Sequence, residues 1–485
     1  MSGAIRLEKL GKPVVYIVAD NFSHDAELSA EDNGMPTLRR VAVPGEEFFQ
    51  RRISRDQIKP VANSAVQVLI AGLTRPLTRE ELNPKPKKTA MDRIIKITAE
   101  NYGAALEKFN ALFLANHWGS GLPLIPPTPE RVKWMLSGTS RSKDEVVGIV
   151  APKNGKATVE KIAINAVMAG AKPEYLPVII AAMEGFTAKD YDLVHVLTSS
   201  GSFFPAVIVH GPIAKEIGMN SGTGLIGHGF RANNTIGHAL RLSLLNIGHL
   251  WPGENDMALI GRVSSHTFFT FAENEQFSPW EPYHVSIGFK KDESAVTVST
   301  VGGYTATTGM TVYGGGAVAV WSADSILDAI VADISHDRRI FTLFKRGQAI
   351  PSAHPSKHIL VLAPEFAREL NRRGYTRASL QKYLYEKTSI PFEELTAQEV
   401  KAVRDRIEGS KARDMLHYDI MPTDRIPAYE EVLKPGGKVP VVIAPRDITI
   451  LVSGGIPAYT FGMSYFRVSQ ETKLVHGATL TKSGR

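Results

Sequence analysis

The chain alternates between short apolar runs and longer segments with apolar residues at helical spacing. Runs such as Ala206–Val209, His358–Leu362 and Ile448–Val452 predict buried strands. Segments such as Asn101–His117 and Arg231–Ile247 predict amphipathic helices. Because strands and helices alternate along the whole length, the pattern predicts an α/β fold.

The first 85 residues predict a small α/β piece. Val14–Val18 and Thr37–Val43 are its expected strands, and Asp25–Asn33 and Val61–Leu73 are its expected helices. Two strands are too few for a doubly wound sheet. We therefore expect this incomplete piece to have its sheet completed by another segment or by another chain.

Two larger α/β regions are expected to follow a polar, proline-punctuated linker at 83–88. The first covers 91–300 and holds the candidate anion-binding loops, and the second covers 301–485. Further short apolar runs in these regions predict additional strands at Asp92–Ile97, Val146–Ala151, Val194–Thr198, Val296–Thr300, Ala317–Trp321 and Val439–Ile443.

The two larger regions share a pattern of strand, proline turn, helix, turn and helix. It runs from Ala206–Val209 through Gly211-Pro212 in one region, and from His358–Leu362 through Ala363-Pro364 in the other. An internal duplication is one interpretation. Chance recurrence is the other, because a proline after a strand is a common way to begin a helix.

Composition narrows the class of protein. The 485 residues are 43% hydrophobic and 22% charged, which is typical of globular proteins. There is no cysteine, which excludes disulfides, thiolate metal ligands and a cysteine nucleophile on this chain. The net charge of +7 is mild and the basic clusters lack interleaved aromatics, so a small anionic substrate is favoured over nucleic acid.

Targeting signals are not recognisable in the sequence. Residues 1–6 lack the apolar core of a secretory leader, and no run of apolar residues is long enough for a membrane span. The expected location is therefore cytoplasmic, with no membrane contact.

The first candidate site is the turn after the strand at Val146–Ala151. Lys153 and Lys156 suit a carboxylate or phosphate beside a helix start, and Asn154 suits orientation of a substrate. We expect Glu160 to transfer protons, and we expect Lys153 to be a catalytic residue that also binds the anion. The alternative is a solvated turn in which Thr158 caps the next helix.

The second candidate is the glycine-rich stretch that precedes the helix at 231. Its G-x-G-x-x-G sequence at 222–227 does not directly follow a strand, so dinucleotide binding is disfavoured. Arg231 suits a clamp on a carboxylate. Asn233 and Asn234 either bind the substrate or cap the helix.

The third candidate is a pair of acidic segments, Glu254–Asp256 and Glu273–Glu275. Such pairs bind a metal or share proton transfer, and Glu273 is the residue predicted to be catalytic. Otherwise they are surface turns or partners for Arg262. The histidines form no recognised metal motif, so no metal ligand is predicted and the cofactor is left unspecified.

The N-terminal piece resembles a known family. Gly11–Val15, Gly34–Pro36 and Val41–Pro44 are similar to the C-terminal half of UGSC-motif (seleno)proteins over about residues 5–80. That family is named after selenocysteine or cysteine followed by Gly-Ser-Cys, in the half that precedes this segment. Since this chain has no cysteine, the resemblance implies that a separate partner subunit carries the Cys/Sec-Gly-Ser-Cys half.

Residues 100–485 resemble large uncharacterised proteins associated with the same family. The similar stretches are Trp118–Pro123, Pro152–Lys161 and Glu273–Trp280. Ser120 stands where an acidic residue is usual, which argues against a role for that position. No activity transfers from this resemblance.

These observations predict one subunit of an oligomeric, heteromeric enzyme. It would act on a small anionic molecule, by redox or bond-cleaving chemistry assisted by a thiol or selenol on the partner. One alternative is a non-catalytic structural subunit of such a complex. Another is a self-sufficient hydrolase or lyase, either metal-dependent or needing no cofactor.

Overall fold

The computed structural model shows an α/β protein, as the sequence predicts. It describes residues 2–32, 34–45, 55–83, 94–199, 201–258, 261–262, 266–307, 323–337, 357–412, 426–439, 442, 444–455, 460–465 and 470–478.

Helices account for the amphipathic segments. The bounds are α1 Ser2–Lys9, α2 Ser23–Asp32, α3 Arg55–Thr74, α4 Arg79–Leu82, α5 Tyr102–Ala115, α6 Pro129–Leu136, α7 Val159–Met168, α8 Leu176–Phe186, α9 Leu193–Thr198, α10 Pro212–Glu216, α11 Arg231–Gly248, α12 Tyr283–Ser286, α13 Ala323–Asp337, α14 Pro364–Arg372, α15 Arg377–Thr388, α16 Ala397–Ala412 and α17 Ile426–Val432.

Strands occupy most of the short apolar runs. The bounds are β1 Tyr16–Ala19, β2 Arg40–Val43, β3 Val146–Val150, β4 Gly155–Thr158, β5 Phe204–His210, β6 Phe269–Ala272, β7 Ala295–Val301, β8 Gly303–Thr307, β9 Lys357–Leu362, β10 Ile390–Pro391, β11 Lys438–Val439, β12 Ile448–Val452, β13 Thr460–Tyr465 and β14 Gln470–Leu474.

The N-terminal piece has the two strands that the sequence predicts, and β1 and β2 form a parallel two-stranded sheet. Helix α3 packs on it, yet Val66, Ile70 and Leu73 on this helix stay exposed. Two strands alone are marginally stable in water. The small sheet and the exposed apolar side chains agree with the expectation that something else completes this piece.

Two four-stranded sheets form the centre of the protein, and they share one arrangement. In the first, β5 lies between a parallel neighbour, β6, and an antiparallel neighbour, β7. In the second, β9 lies between a parallel neighbour, β12, and an antiparallel neighbour, β13. Each sheet ends in a fourth, antiparallel strand, which is β14 beside β7 and β8 beside β13.

The fourth strands are exchanged between the sheets. Strand β8 follows β7 along the chain but joins the second sheet, and β14 follows β13 but joins the first. The predicted strand–proline–helix units are confirmed, with Pro212 and Pro364 each at the first position of a helix. The matching arrangement agrees with a duplication, which stays an interpretation.

The two sheets pack face to face, with helices outside. Alternate residues of a strand point to opposite faces, so Ala206 and Ile208 of β5 contact Ile359 and Val361 of β9 in one apolar layer. Residues on the outer face of β5, such as Val207, pack in the cluster that includes α7, α8 and α11. The outer face of β9 packs against α13, α14 and α15. Four layers result.

The predicted strand at Val194–Thr198 is wrong, because these residues belong to helix α9. Its backbone is helical, with Val196 N–H bonded to the carbonyl of Asp192, and the Thr198 hydroxyl bonded to the carbonyl of Val194. A short apolar run has no periodicity that separates a buried strand from a buried helix. The predicted strand at Asp92–Ile97 is also wrong where it is described, since residues 95–97 are irregular.

The turn at Lys153–Lys156 is a hairpin rather than a strand-to-helix loop. Strand β4 pairs antiparallel with β3, so a strand separates the turn from α7. Gly155 is packed against the carbonyl oxygen of Ile247, where a Cβ atom would clash. Ala317–Trp321 and part of Val439–Ile443 lie outside the described residues. None of the described helices is long and apolar enough to cross a bilayer.

Candidate functional site

The candidate site begins at the point where β5 and β6 end. The parallel pairing places Val209 opposite Ala272, so the next residue of each strand, His210 and Glu273, are neighbours. The backbone N–H of Glu273 continues the ladder to the carbonyl of Val209 at 3.0 Å. His210 shares the face of Ala206 and Ile208, so its side chain lies in the layer between the two sheets.

Two further groups complete the cluster. Glu275 follows β6 by three residues, and its Oε1 accepts a hydrogen bond from the N–H of Gly211 at 2.6 Å. Gly211 has φ +82°, and a Cβ there would meet the carbonyl oxygen of Glu293, so glycine is required at this approach. The short helix α12 then returns the chain and places His284 in the cluster.

Distances within the cluster are short. His210 Nδ1 lies 2.9 Å from Glu273 Oε2, and His284 Nδ1 lies 3.5 Å from Glu275 Oε1. One nitrogen or oxygen of each of the four side chains lies within 4.8 Å of the others. Both imidazoles and the Glu273 side chain are fully buried, whereas the Glu275 side chain is 24% exposed. Glu275 is therefore the member nearest to solvent.

Neighbouring groups orient the buried pair. His210 Nε2 contacts the Thr297 hydroxyl at 2.9 Å, which leaves Nδ1 facing the Glu273 carboxylate. Both carboxylate oxygens of Glu273 accept from the N–H of Tyr283, at 3.1 and 2.9 Å. Arg377 Nη2 of the second half lies 3.5 Å from Glu273 Oε1. These contacts hold the positions of the two side chains, as outer groups do around metal ligands.

His284 is the unusual member. Neither of its ring nitrogens has a hydrogen-bond partner, although both are buried. The backbone of Lys290 lies near enough to favour the charged form of the ring but makes no hydrogen bond to it. A buried polar atom without a partner costs about 1–3 kcal/mol. The ring is therefore placed as a ligand would be placed, with an electron pair available to a further group.

Burial also disfavours charge in this cluster. It lowers the pKa of His284, with His210 acting in the same direction, and it raises the pKa of Glu275, where Glu273 adds to the shift. A bound cation would oppose the shift at Glu275, because it stabilises a carboxylate, and it would act with burial at His284, because both favour the neutral imidazole.

The donor set suits a transition metal. Two imidazoles and two carboxylates are ligands for zinc, iron, cobalt, nickel or manganese. Ligand atoms on a tetrahedral zinc stand about 3.3 Å apart, since each lies about 2 Å from the ion. The observed ligand atoms, which lie within 4.8 Å of one another, are close to this spacing. The four residues therefore fit such an ion.

The predicted residues of the first loop lie elsewhere. Lys153 and Asn154 form the exposed hairpin turn, and the Lys156 carbonyl accepts from Lys161 Nζ. Glu160 Oε1 is 3.7 Å from Lys143 Nζ in the first turn of α7. Thr158 caps α7 through the N–H of Lys161, as the structural alternative predicted. The substrate and proton-transfer roles of this loop stay predictions.

The polar residues at the start of α11 bond to the backbone. The Arg231 guanidinium donates to the carbonyl of Gly170 at 3.0 and 3.2 Å. Asn233 exchanges hydrogen bonds with the backbone of Asn220, and Asn234 donates to the carbonyls of Gly227 and Phe230. These bonds hold the loop that precedes α11. The predicted capping is wrong, because Phe230 stands at the N-cap position without a side-chain cap bond, and the substrate role of the asparagines stays a prediction.

Glu254, from the other acidic segment, bridges two histidines. Its Oε1 lies 2.9 Å from His117 Nδ1, and its Oε2 lies 2.8 Å from His249 Nε2. The His117 ring stacks on Trp251 with 3.9 Å between centroids. The three ionisable side chains do not approach closely enough to share one ion, in contrast to the His210 cluster.

Of the residues predicted to be catalytic, Glu273 belongs to the cluster, and Glu275 comes from the same candidate acidic segment, whereas the two histidines were not predicted. His210 and His284 come from separate segments and follow no motif spacing. The usable signal was positional, because His210 and Glu273 each follow or end an apolar run that predicts a buried strand. Polar groups at the carboxyl ends of neighbouring parallel strands meet at one edge.

The fold and the cluster define an α/β protein with a buried two-histidine, two-carboxylate site between two sheets. A sequence model of the UGSC family matches residues 1–75, which is the segment where the resemblance was noted. The N-terminal piece is thus similar to the UGSC family. No curated protein and no solved structure shows significant similarity to the chain.

Proposed function

We propose that the chain is a metal-dependent, bond-cleaving enzyme, of the hydrolase or lyase class, with its centre at His210, Glu273, Glu275 and His284. The observation that carries this proposal is His284, a fully buried imidazole whose two nitrogens lack hydrogen-bond partners and which lies beside two carboxylates. A simple structural network would satisfy such a group.

The chain's own residues have distinct parts in this proposal. His210 and Glu273 are buried and held by Thr297, Tyr283 and Arg377, so they would fix the position of the ion. Glu275 is partly exposed and would face the substrate, either as a ligand or as the group that accepts a proton from water. When bound, a metal ion of the zinc class supplies a Lewis acid and an activated water.

Metal binding is the direct test. After treatment with a chelator, titration calorimetry with Zn²⁺, Co²⁺ and Mn²⁺ is expected to give one ion per chain for at least one metal. His284→Ala and Glu275→Gln are each expected to weaken binding by more than about 100-fold, because each removes a ligand. Two variants guard against a folding defect in either one.

His249→Ala is the matched control. His249 is a partly buried histidine on a carboxylate, but it lies outside the cluster. The affinity of the His249→Ala variant for the ion is expected to equal that of the unaltered chain. Absence of stoichiometric binding, or equal affinity in His284→Ala and the unaltered chain, would exclude the proposal.

A heteromeric enzyme with a thiol-bearing partner is the second candidate. It is supported by the UGSC match together with the two-stranded sheet and the exposed apolar residues of α3. In this arrangement the partner's Cys/Sec-Gly-Ser-Cys half would complete the N-terminal sheet. The proposed metal site, formed by the four clustered side chains, would still belong to this chain.

Native mass spectrometry of the untagged protein from its own source tests the partnership. The expected result is a complex that contains a second, smaller chain with a Cys-Gly-Ser-Cys sequence or its selenium form. A complex built only from copies of this chain would contradict the second candidate and leave the metal-dependent enzyme as it stands.

A further inference from the structure

A cleft of about 580 Å³ begins one residue beyond Glu275. One wall is the loop 276–279, which includes Phe277. The other wall is the polar face of α14, formed by Glu365, Arg368, Asn371 and Arg372. This volume lies within the range of about 300–1,000 Å³ that is typical of small-molecule sites.

The loop that forms one wall of the cleft directly follows the candidate centre along the chain. The N–H groups of Phe277 and Ser278 bond to the carbonyl of Asn274 in a tight turn, and the N–H of Asn274 bonds to the carbonyl of Val452 in the second sheet. The loop is therefore anchored to both halves of the molecule. Glu275, which precedes this wall, is the cluster member that retains exposure.

The lining has the chemistry of an anion site with an apolar part. Arg368 and Arg372 outnumber Glu365, so the lining carries a net positive charge. Each guanidinium has five N–H donors in a fork that matches a carboxylate or phosphate. Phe277 is 50% exposed and offers an aromatic surface.

The existing partners of these arginines do not block this role. Arg368 Nη2 lies 3.3 Å from Glu365 Oε1, and Arg372 Nη2 lies 2.5 Å from Glu369 Oε2, all on one helix. Ion pairs between exposed groups three residues apart on a helix contribute little to stability. An incoming anion can therefore compete for these guanidinium groups.

We propose that this cleft binds the substrate, a small organic anion with an apolar group, through Arg368, Arg372 and Phe277. The inference rests on the proposed metal centre beside it. The anionic group would be held on α14 and the reacting bond would extend towards Glu275.

Benzoate is a suitable probe of the cleft in the metal-free protein. Saturation-transfer NMR is expected to detect benzoate binding, and the double variant R368Q/R372Q is expected to bind it at least about tenfold more weakly, since charged hydrogen bonds are lost. Arg373→Gln is the control, because Arg373 pairs with Asp324 and Glu369 and does not line the cleft. No binding, or equal binding by the double variant, would overturn the inference.

A paramagnetic ion separates this inference from the proposed centre. With Mn²⁺ added, the proton lines of bound benzoate are expected to broaden in the unaltered chain and not in His284→Ala. Failure of Mn²⁺, Co²⁺ and Zn²⁺ to bind would exclude the proposed centre. The benzoate experiment on the metal-free protein would still test binding in the cleft. Bound Mn²⁺ without broadening of bound benzoate would place the anion away from the centre and contradict the inference.

Discussion

Replacing Arg262 by Met is expected to lower the free energy of unfolding by about 3–5 kcal/mol, the usual effect of leaving a buried charge without its partner. Arg262 is buried, and its guanidinium forms a salt bridge to Asp256 at 2.8 Å. It also donates hydrogen bonds to five backbone carbonyls, at the end of α9 and on the segment that joins α9 to β5, namely those of Val196, Leu197, Ser199, Gly201 and Phe203. Methionine fills a similar volume but satisfies none of these acceptors.

Urea unfolding followed by circular dichroism measures this effect. Arg404→Met, on the exposed face of α16, is the control and is expected to change stability by less than about 0.5 kcal/mol. Arg262→Lys keeps the charge but loses the planar fork of donors. Its loss of unfolding free energy is therefore expected to lie between the losses of Arg404→Met and Arg262→Met. A change below about 1 kcal/mol in Arg262→Met would show that the carbonyls find other donors.

The sequence anticipated part of this arrangement. Arg262 was an expected partner of the acidic segment at 254–256, and Asp256 fills that place. The five carbonyls were beyond prediction. Val196 and Leu197 belong to a stretch that was expected to form a strand, and the other three carbonyls lie in the connection that follows it. Backbone acceptors carry no residue-type signal, so an arginine that organises a loop looks the same in sequence as one that is solvated.

The sheets were easier to predict than the connections. Strands β5, β7, β9 and β12 are buried apolar runs flanked by turn residues, and their sequence pattern is sufficient. Strand β4 was missed because Gly155–Thr158 is short and largely polar. Its place depends on close packing of Gly155 against Ile247 of α11, which is a tertiary contact.

Among the described residues, the two similar sheets differ at the position that carries the candidate site. Glu273 follows β6 and Ser453 follows β12, and each donates its N–H to the end of the neighbouring parallel strand, at Val209 and Leu362. The two positions are equivalent in the ladder but differ in chemistry. The Ser453 hydroxyl donates a hydrogen bond to the carbonyl of Ala272. The second sheet therefore has a hydroxyl that links the two sheets at the position where the first sheet has a carboxylate.

The second half still contributes to the site through one charge. Arg377 begins α15, and it holds the carbonyl of Ile450 with Nε while Nη2 faces Glu273. Burial lowers the pKa of this guanidinium, and the Glu273 carboxylate opposes that shift. Glu273 is therefore both a candidate ligand and the counter-charge of a buried arginine from the other sheet.

Glu273→Gln is expected to cost both stability and metal binding, whereas Glu275→Gln is expected to cost metal binding alone. Glutamine at 273 can still accept from Tyr283, but it leaves Arg377 without a buried counter-charge, so the metal-free protein should lose about 3 kcal/mol in unfolding free energy. Glutamine at 275 keeps the acceptor for Gly211, and burial already raises the pKa of Glu275, so the loss should stay below about 1 kcal/mol.

A double variant tests whether the stability loss of Glu273→Gln comes from the uncompensated charge of Arg377. In the Glu273→Gln background, Arg377→Met removes the uncompensated charge and is expected to recover at least about 1 kcal/mol of the metal-free stability, because apolar replacement of a buried ion pair is often neutral. Metal affinity should not recover, since the carboxylate ligand is still absent. Equal stability of Glu273→Gln and Glu275→Gln would show that Arg377 does not depend on Glu273, and retained metal binding in both would remove these carboxylates from the centre.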